Sequence, residues 1–405
     1  EVKALIGSGD FFNKPIQGQV NGTKSKRSPG STLKPFIYAL ALDQGLIHPC
    51  SVLNDAPANF SGYSPENFDR SFLGPIKAKE ALILSRNIPA LFLAGQLKNP
   101  TLYHFLKEAH ITQLKPEENY GLSLALGGAE ITMQELVGLY AMLANGGLWH
   151  PLRTLANQPL ADGQRLLSAE ASFLTLDMLH ATPRPYPNNS AIDNQKQVYW
   201  KTGTSSGYRD AWSIGVFGPY VLAVWIGDFA SKSNPAFVGA TAAAPLFFKI
   251  IEVVNHNLPE VVRVTPEMNL TKMLVCEISG LLPASDCLKT IETWFIPGKS
   301  PIKREAPHCK LEPNEDLHII SPKKGLIYTT KPNSRILLRA AADGEIETLY
   351  WFIDQQFIGT SESEKILEWQ AKPGKYALKV VDNLGRSTTQ ELIIEGVQAS
   401  LNRND

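Results

Sequence analysis

The feature that most restricts the fold is a change of hydrophobic period near residue 317. Before it, apolar residues recur at helical spacing in several stretches; after it, short strand-like runs take over. LFFKIIEVVNHNL, following Pro245, sets Leu246, Phe247, Ile250, Ile251 and Val254 on one helical face. AWSIGVF and YVLAVWIG flank Gly218-Pro219 and read as an antiparallel hairpin. From Leu317 onward, RILLRAA, TLYWFIDQQFIGT and KYALKVVD are broken by KPN, ADG, KPG and DNLG turns. Trp351 falls mid-strand and Tyr376 shortly after Pro-Gly, where a sandwich keeps a core aromatic and a tyrosine corner. The expected architecture has three parts: an α/β (α+β) domain over residues 1–258, a Cys/Pro-rich linker over 259–316, and a small all-β immunoglobulin-like sandwich over 317–396. At 405 residues and 43% hydrophobic content, the chain can bury cores for two or three domains.

The first residues, EVKALIGSGDFF, alternate like a strand, with Val2, Ala4 and Ile6 set against Lys3 and Leu5. A chain that opens in mid-sheet reads as a piece of a longer one. Basic and acidic residues number 39 each, so no charge bias points to nucleic acid or an anionic membrane. No apolar run approaches the ~20 residues that span a bilayer. Three of the four cysteines, Cys276, Cys287 and Cys309, cluster in the linker. In an oxidising compartment they read as a structural disulfide; the alternative is a zinc site using His308 and Cys309, which lacks a clean C-x-x-C pair.

The chemistry starts at RSPGSTLKPF, residues 27–36. A helix starting at Ser31 tolerates Pro35, because its first N–H groups have no intrahelical acceptor. Ser31 and Lys34, three apart, share a helical face at the positive end of the helix dipole. An amine there deprotonates more readily and can take the serine proton. The plainer reading makes Ser31 a cap and Lys34 a solvated charge, since S-x-x-K alone is a loose pattern. Two further stretches matter: Ser85-Arg86-Asn87, an S-x-N at the end of an apolar helical turn, and Lys201-Thr202-Gly203-Thr204 on a strand. Each also has a bland reading, a helix-end cap and an edge strand with a Gly bulge. Their joint occurrence in this order is a strong signal.

With RSPGSTLKPF, the S-x-N, LALGGAEIT, LYAMLANGG and KTGTSSGYRDAW in place, the chain resembles the penicillin-binding protein transpeptidases and their serine β-lactamase relatives. Within them it resembles the class A penicillin-binding proteins of the 1C type, over nearly its whole length. That resemblance implies a penicillin-binding-protein/β-lactamase-like transpeptidase fold and a peptidoglycan D,D-transpeptidase acting through an acyl-serine. Ser31 would be the nucleophile, Lys34 the base and Ser85 a proton relay. Asn87 would bond the substrate amide and Lys201 supply positive potential. Thr202, Gly203, Thr204 and Tyr208 would line the substrate groove, with Thr204 on the terminal carboxylate and the N–H groups of Ser31 and Thr204 forming the oxyanion hole.

No cofactor is implied. The implied partners are stem peptides ending in D-Ala-D-Ala, β-lactams as covalent inhibitors, and cell-wall synthesis proteins at the carboxy-terminal domain. The implied location is the periplasm, at the outer face of the inner membrane, with an anchor and a glycosyltransferase domain upstream. Alternatives are a D,D-carboxypeptidase or β-lactamase, or a non-catalytic β-lactam sensor or scaffold. Arg86 stands where the class A β-lactamase form has Asp, and no E-x-x-L-N stretch supplies a deacylating glutamate, which disfavours rapid hydrolysis.

Overall fold

The computed structural model describes residues 1–58, 60, 65–155, 157–184, 197–255, 268–284, 287, 289–303, 317–330, 335–342, 348–354, 356–382 and 386–396. Cys309 and His308 lie outside the described residues, as do most residues of the KPN, ADG and DNLG turns. By internal contacts the chain forms two units. The first comprises Glu1–Ser51, Lys77–Leu281 and Ile291–Lys303; the second comprises Val52–Ile76, Leu282–Thr290 and Arg304–Asp405.

The first unit is built around helix α1 (Lys34–Asp43). It begins at Lys34 rather than Ser31, because Gly30–Leu33 winds as a preceding 3-10 turn. Pro35 is still harmless, since the first turn has no intrahelical acceptors to lose. Lys34 through Leu42 are all buried. A helix apolar on every side belongs in the centre of a core. Helices α2 (Ala78–Ile83), α3 (Asn87–Gln96), α4 (Leu102–Glu108), α5 (Met133–Ala144) and α6 (Ala169–His180) complete the helical layer around α1. The Phe36 ring stacks on Phe105 of α4 and meets Tyr140 of α5 edge-on. Thr132 and Glu135 form a capping box that starts α5.

Two strand pairs precede the main sheet: β1 (Val52–Asp55) with β2 (Gly74–Lys77), and the short β3 (Leu148–Trp149) with β4 (Gln164–Arg165). The main sheet is antiparallel, in the order β5 (Val198–Thr204), β6 (Asp210–Phe217), β7 (Tyr220–Gly227). Gly218 makes the β6–β7 turn with φ +47°, as the hairpin reading expects. Helix α7 (Ala244–Asn255) follows a π turn over Gly239–Ala243. It buries Phe247 and Ile251 against Val198, Trp200 and Phe217, while Leu246 is turned outward and 43% exposed.

Residues 1–13 contain no strand, against the expectation from their alternation; their first backbone bond to the rest of the unit runs from Val2 N–H to Arg153 O. Alternation defines two faces, but a strand also needs a neighbouring edge to bond. The stretch read as a loop-rich linker contributes a hairpin, β8 (Thr271–Cys276) with β9 (Thr290–Phe295).

The second unit contains the sandwich. One sheet runs β10 (Leu317–Ser321), β12 (Arg335–Ala342), β15 (Leu367–Gln370). The other runs β11 (Ile327–Thr330), β17 (Ser387–Gly396), β16 (Gly374–Asp382), β13 (Leu349–Ile353), β14 (Gln356–Ser361). The β11–β17 pair is parallel and the rest are antiparallel. TLYWFIDQQFIGT is two strands turned at Asp354, whose φ is +47°. Trp351 is fully buried with Leu338, Leu378, Val380 and Leu392. The Tyr376 hydroxyl donates to Lys372 O at 2.9 Å, the back-bond of a tyrosine corner.

Candidate active site

The three motifs meet at Ser85. Lys34 Nζ donates to Asn87 Oδ1 at 2.6 Å and to Ser85 O at 2.5 Å, with a longer contact of 3.5 Å to Ser85 Oγ. Lys201 Nζ reaches the same Oγ at 2.7 Å and the Thr202 carbonyl at 3.1 Å. Two amines from sequence-distant elements, α1 and β5, thus converge on one hydroxyl. Both lysines are buried, Lys34 at 0% and Lys201 at 1% exposure. Burial lowers the Lys201 amine from its ordinary 10.5 to about 7, because the interior disfavours the charged form. Neutral and protonated Lys201 therefore coexist near neutral pH.

Ser85 is held in a backbone conformation that L residues rarely adopt, with φ +59°, between α2 and α3. Such strain persists only where surrounding structure fixes it, and it clusters at functional positions. The turn rotates Ser85 out of the helical path so that it faces both amines, while Asn87 opens α3.

Ser31 lies half-buried in the 3-10 turn, its carbonyl accepting the Lys34 N–H. Close backbone packing fixes this turn. A Cβ on Gly30, whose φ is +52°, would fall 2.6 Å from Thr204 O and 2.9 Å from Thr204 N. A Cβ on Gly203 would fall 2.4 Å from Pro29 O, and one on Gly127 would fall 2.4 Å from Gly30 N. The turn that carries Ser31, the K-T-G strand and the Gly127-Gly128 turn therefore touch backbone to backbone, and only glycine fits between them. Gly203 is thereby a packing residue at the strand–turn contact.

Thr202 and Thr204 are half-buried on β5. Thr204 Oγ1 accepts the Gly239 N–H at 3.0 Å, from the π turn that opens α7. Tyr208 stands beyond the end of β5 on the β5–β6 turn, with φ +53° and 37% exposure, and its carbonyl accepts Asn234 N–H. The bonded cluster is thus Lys34, Ser85, Asn87, Lys201 and the Thr202 carbonyl; Thr204 and Tyr208 have partners of their own.

Several supports were not singled out from sequence. Trp212 Nε1 donates to Ser28 O at 2.9 Å and the Tyr140 hydroxyl to Thr32 O at 2.9 Å, so β6 and α5 both grip the turn that carries Ser31. Arg27 donates to Phe229 O and Ser231 Oγ and lies over the Trp225 ring. The available signal was the run of Trp and Tyr near the motifs, whose polar tips seek partners when buried.

The fold matches solved structures of penicillin-binding proteins. It superposes on the 2.6 Å crystal structure of penicillin-binding protein 1A from Haemophilus influenzae with TM-score 0.60 and 23% identity, covering 72% of this chain and 51% of that one. It also matches PonA1 of Mycobacterium tuberculosis in complex with penicillin V, with TM-score 0.52 and 19% identity over 65% of this chain and 76% of that one. The chain belongs to the penicillin-binding protein transpeptidase family, whose domain profile matches residues 2–244. The Penicillin-Binding Protein C-terminus Family matches residues 306–393. Among curated relatives, penicillin-binding protein 1C of Escherichia coli K12 is 35% identical over 316 residues, 74% of this chain and 39% of that protein. Penicillin-binding protein 1A of Neisseria cinerea is 29% identical over 61% of this chain and 33% of that protein. The chain thus spans well under half the length of these curated relatives.

Proposed function

We propose that this chain is a peptidoglycan D,D-transpeptidase. Ser31 Oγ attacks the penultimate D-Ala carbonyl of a stem peptide. Its proton passes to Lys34, and the C–N bond to the last D-Ala breaks. Ser85 hands a proton to that departing amine and is resupplied from Lys34 or Lys201. An amine of a neighbouring stem peptide then attacks the acyl-serine, forming the cross-link and releasing Ser31. Asn87 bonds the substrate amide, Thr202 and Thr204 serve the terminal carboxylate, and Tyr208 borders the groove. The N–H groups of Ser31 and Thr204, brought near each other by the Gly30 contact, stabilise the oxyanion, each contributing about 3 kcal/mol. The carrying observation is the convergence of two buried amines on Ser85 Oγ. It supports a relay in which the hydroxyl gives and regains a proton.

β-Lactams would acylate Ser31 and stay attached, because the features that deacylate class A β-lactamases have no counterpart in the sequence. The substrate's location makes the periplasm the working compartment, and a glycosyltransferase domain and anchor in the parent protein are what the family resemblance implies. Incubation with penicillin followed by intact-mass measurement is expected to give one adduct on Ser31 and none on Ser31→Ala. Donor and acceptor stem peptides together are expected to give a cross-linked product; release of D-Ala without cross-link would make the chain a carboxypeptidase.

A further inference from the structure

The β1–β2 hairpin leaves the first unit after Ser51 and returns to it at Lys77. Its base is closed by Ala78 N–H to Ser51 O at 2.8 Å and Lys79 N–H to Pro49 O at 2.9 Å. Helix α2 starts at Ala78, and Ser85 follows directly beyond its end. The second strand of the hairpin runs without a break into the short helix that precedes Ser85.

Within the second unit, that hold comes from the sandwich. Lys379 Nζ on β16 donates to the Leu73 carbonyl of the hairpin at 3.1 Å. Phe72, 8% exposed, meets Phe357 of β14 edge to face with centroids 6.1 Å apart. Asp55, fully buried, stiffens the hairpin from inside: its carboxylate accepts Leu73 N–H at 3.0 Å and Asn67 Nδ2 at 2.8 Å. Asn67 Nδ2 also donates to Ser71 O at 2.8 Å. Lys379 is half-buried, and burial pulls its amine below its usual value, so the ammonium gives up part of its hydration where it reaches the hairpin carbonyl. A domain that served only as a spacer would keep a lysine like this in solvent, where it is cheapest.

We propose that the carboxy-terminal sandwich is a positioning element for the S-x-N segment, holding the β1–β2 hairpin through Lys379 and Phe357 and thereby setting how α2 presents Ser85. Lys379 is a positioning residue, acting through the hairpin and touching no substrate. The inference rests on the transpeptidase reading for its kinetic consequence and stands apart from it for its structural one.

Two readouts test it on the whole chain: hydrogen exchange over residues 74–86 without ligand, and the rate constant for acylation by a fluorescent penicillin. Lys379→Met is expected to speed exchange in α2 and slow acylation about tenfold, since small misplacements near a reacting group are costly. Lys379→Arg, which keeps the donor, is expected to restore both. The final adduct is expected to stay at one per chain throughout. If Lys379→Met unfolds the sandwich, Phe72→Ala removes the contact from the hairpin side and is expected to act in the same direction. Wild-type exchange and wild-type acylation in a folded Lys379→Met or Phe72→Ala variant would overturn the proposal, as would faster exchange confined to the hairpin with an unchanged rate. If wild-type protein takes no penicillin on Ser31, the transpeptidase reading fails instead, and exchange in α2 alone decides whether the sandwich holds it.

Discussion

The main sheet of the first unit and the sheets of the sandwich use the same hydrogen-bond pattern to opposite ends. Strand β6 is buried at all eight positions, because the sheet is covered on both faces. Strand β12 alternates exposed and buried side chains from Arg335 to Leu338, as one-sided burial dictates. Buried polar groups on a strand covered on both faces are costly unless bonded internally, as most are here on β5 and β6, Ser213 Oγ of β6 being an exception. Lys201 bonds Ser85 and the Thr202 carbonyl, and Asp210 accepts Trp225 Nε1 at 3.0 Å. In the sandwich, the fully buried Asp382 is matched by the Arg386 guanidinium and backbone N–H. The first unit keeps the fully buried Lys201 amine against a hydroxyl, while the second pairs the fully buried Asp382 with a counter-charge and holds the half-buried Lys379 against a carbonyl.

Lys201→Met is the sharpest way to break that contrast. The folded amine sits at about 7 against an ordinary 10.5. The unfolded chain therefore binds the extra proton between those values, and the native state gains stability as pH rises through that window. Replacing the amine is expected to stabilise the first unit by about 4 kcal/mol at pH 7 while slowing acylation about a hundredfold or more. Denaturant titration and penicillin kinetics on the same sample check both signs; a variant that loses stability would remove the contrast. Trp351→Ala, in a core with no such conflict, is expected simply to lose about 3–5 kcal/mol from the unfolding transition of the sandwich.

His48 sharpens the comparison through pH. Its ring stacks on Phe295, Nε2 bonds Gly280 O at 2.9 Å, and burial lowers it from 6.5 to about 4. Below 6.5 the unfolded chain takes up a proton that the folded chain refuses until about 4. The first unit is therefore expected to lose about 3 kcal/mol as pH falls across that interval, a slope that His48→Gln should flatten in pH-dependent melts. Tyr376→Phe, which removes one partly exposed back-bond, is expected to cost the sandwich about 1 kcal/mol or less.

The motifs that converge on Ser85 were legible because they depend on spacing along one element or on short fixed words. Ser31 and Lys34 share one turn whether the α-helix proper starts at Ser31 or at Lys34. Trp351 and Tyr376 were legible because the sandwich burial pattern and the Pro-Gly turn are local. The left-handed backbone of Ser85 left no trace, since serine does not advertise that conformation as glycine does. The partnership of Val52–Ile76 with the sandwich was also invisible, because period and composition say which face is apolar but not which distant surface covers it. The opening strand failed for the same reason: alternation was present and an edge to bond was not.

Helix α1 is enclosed on all sides from Lys34 to Leu42. Any larger side chain along it must displace a neighbour, and any smaller one leaves a void beside the turn that carries Ser31. Substitution thus has little room along this rod, and more at residues 206–209 and 230–236, which face solvent.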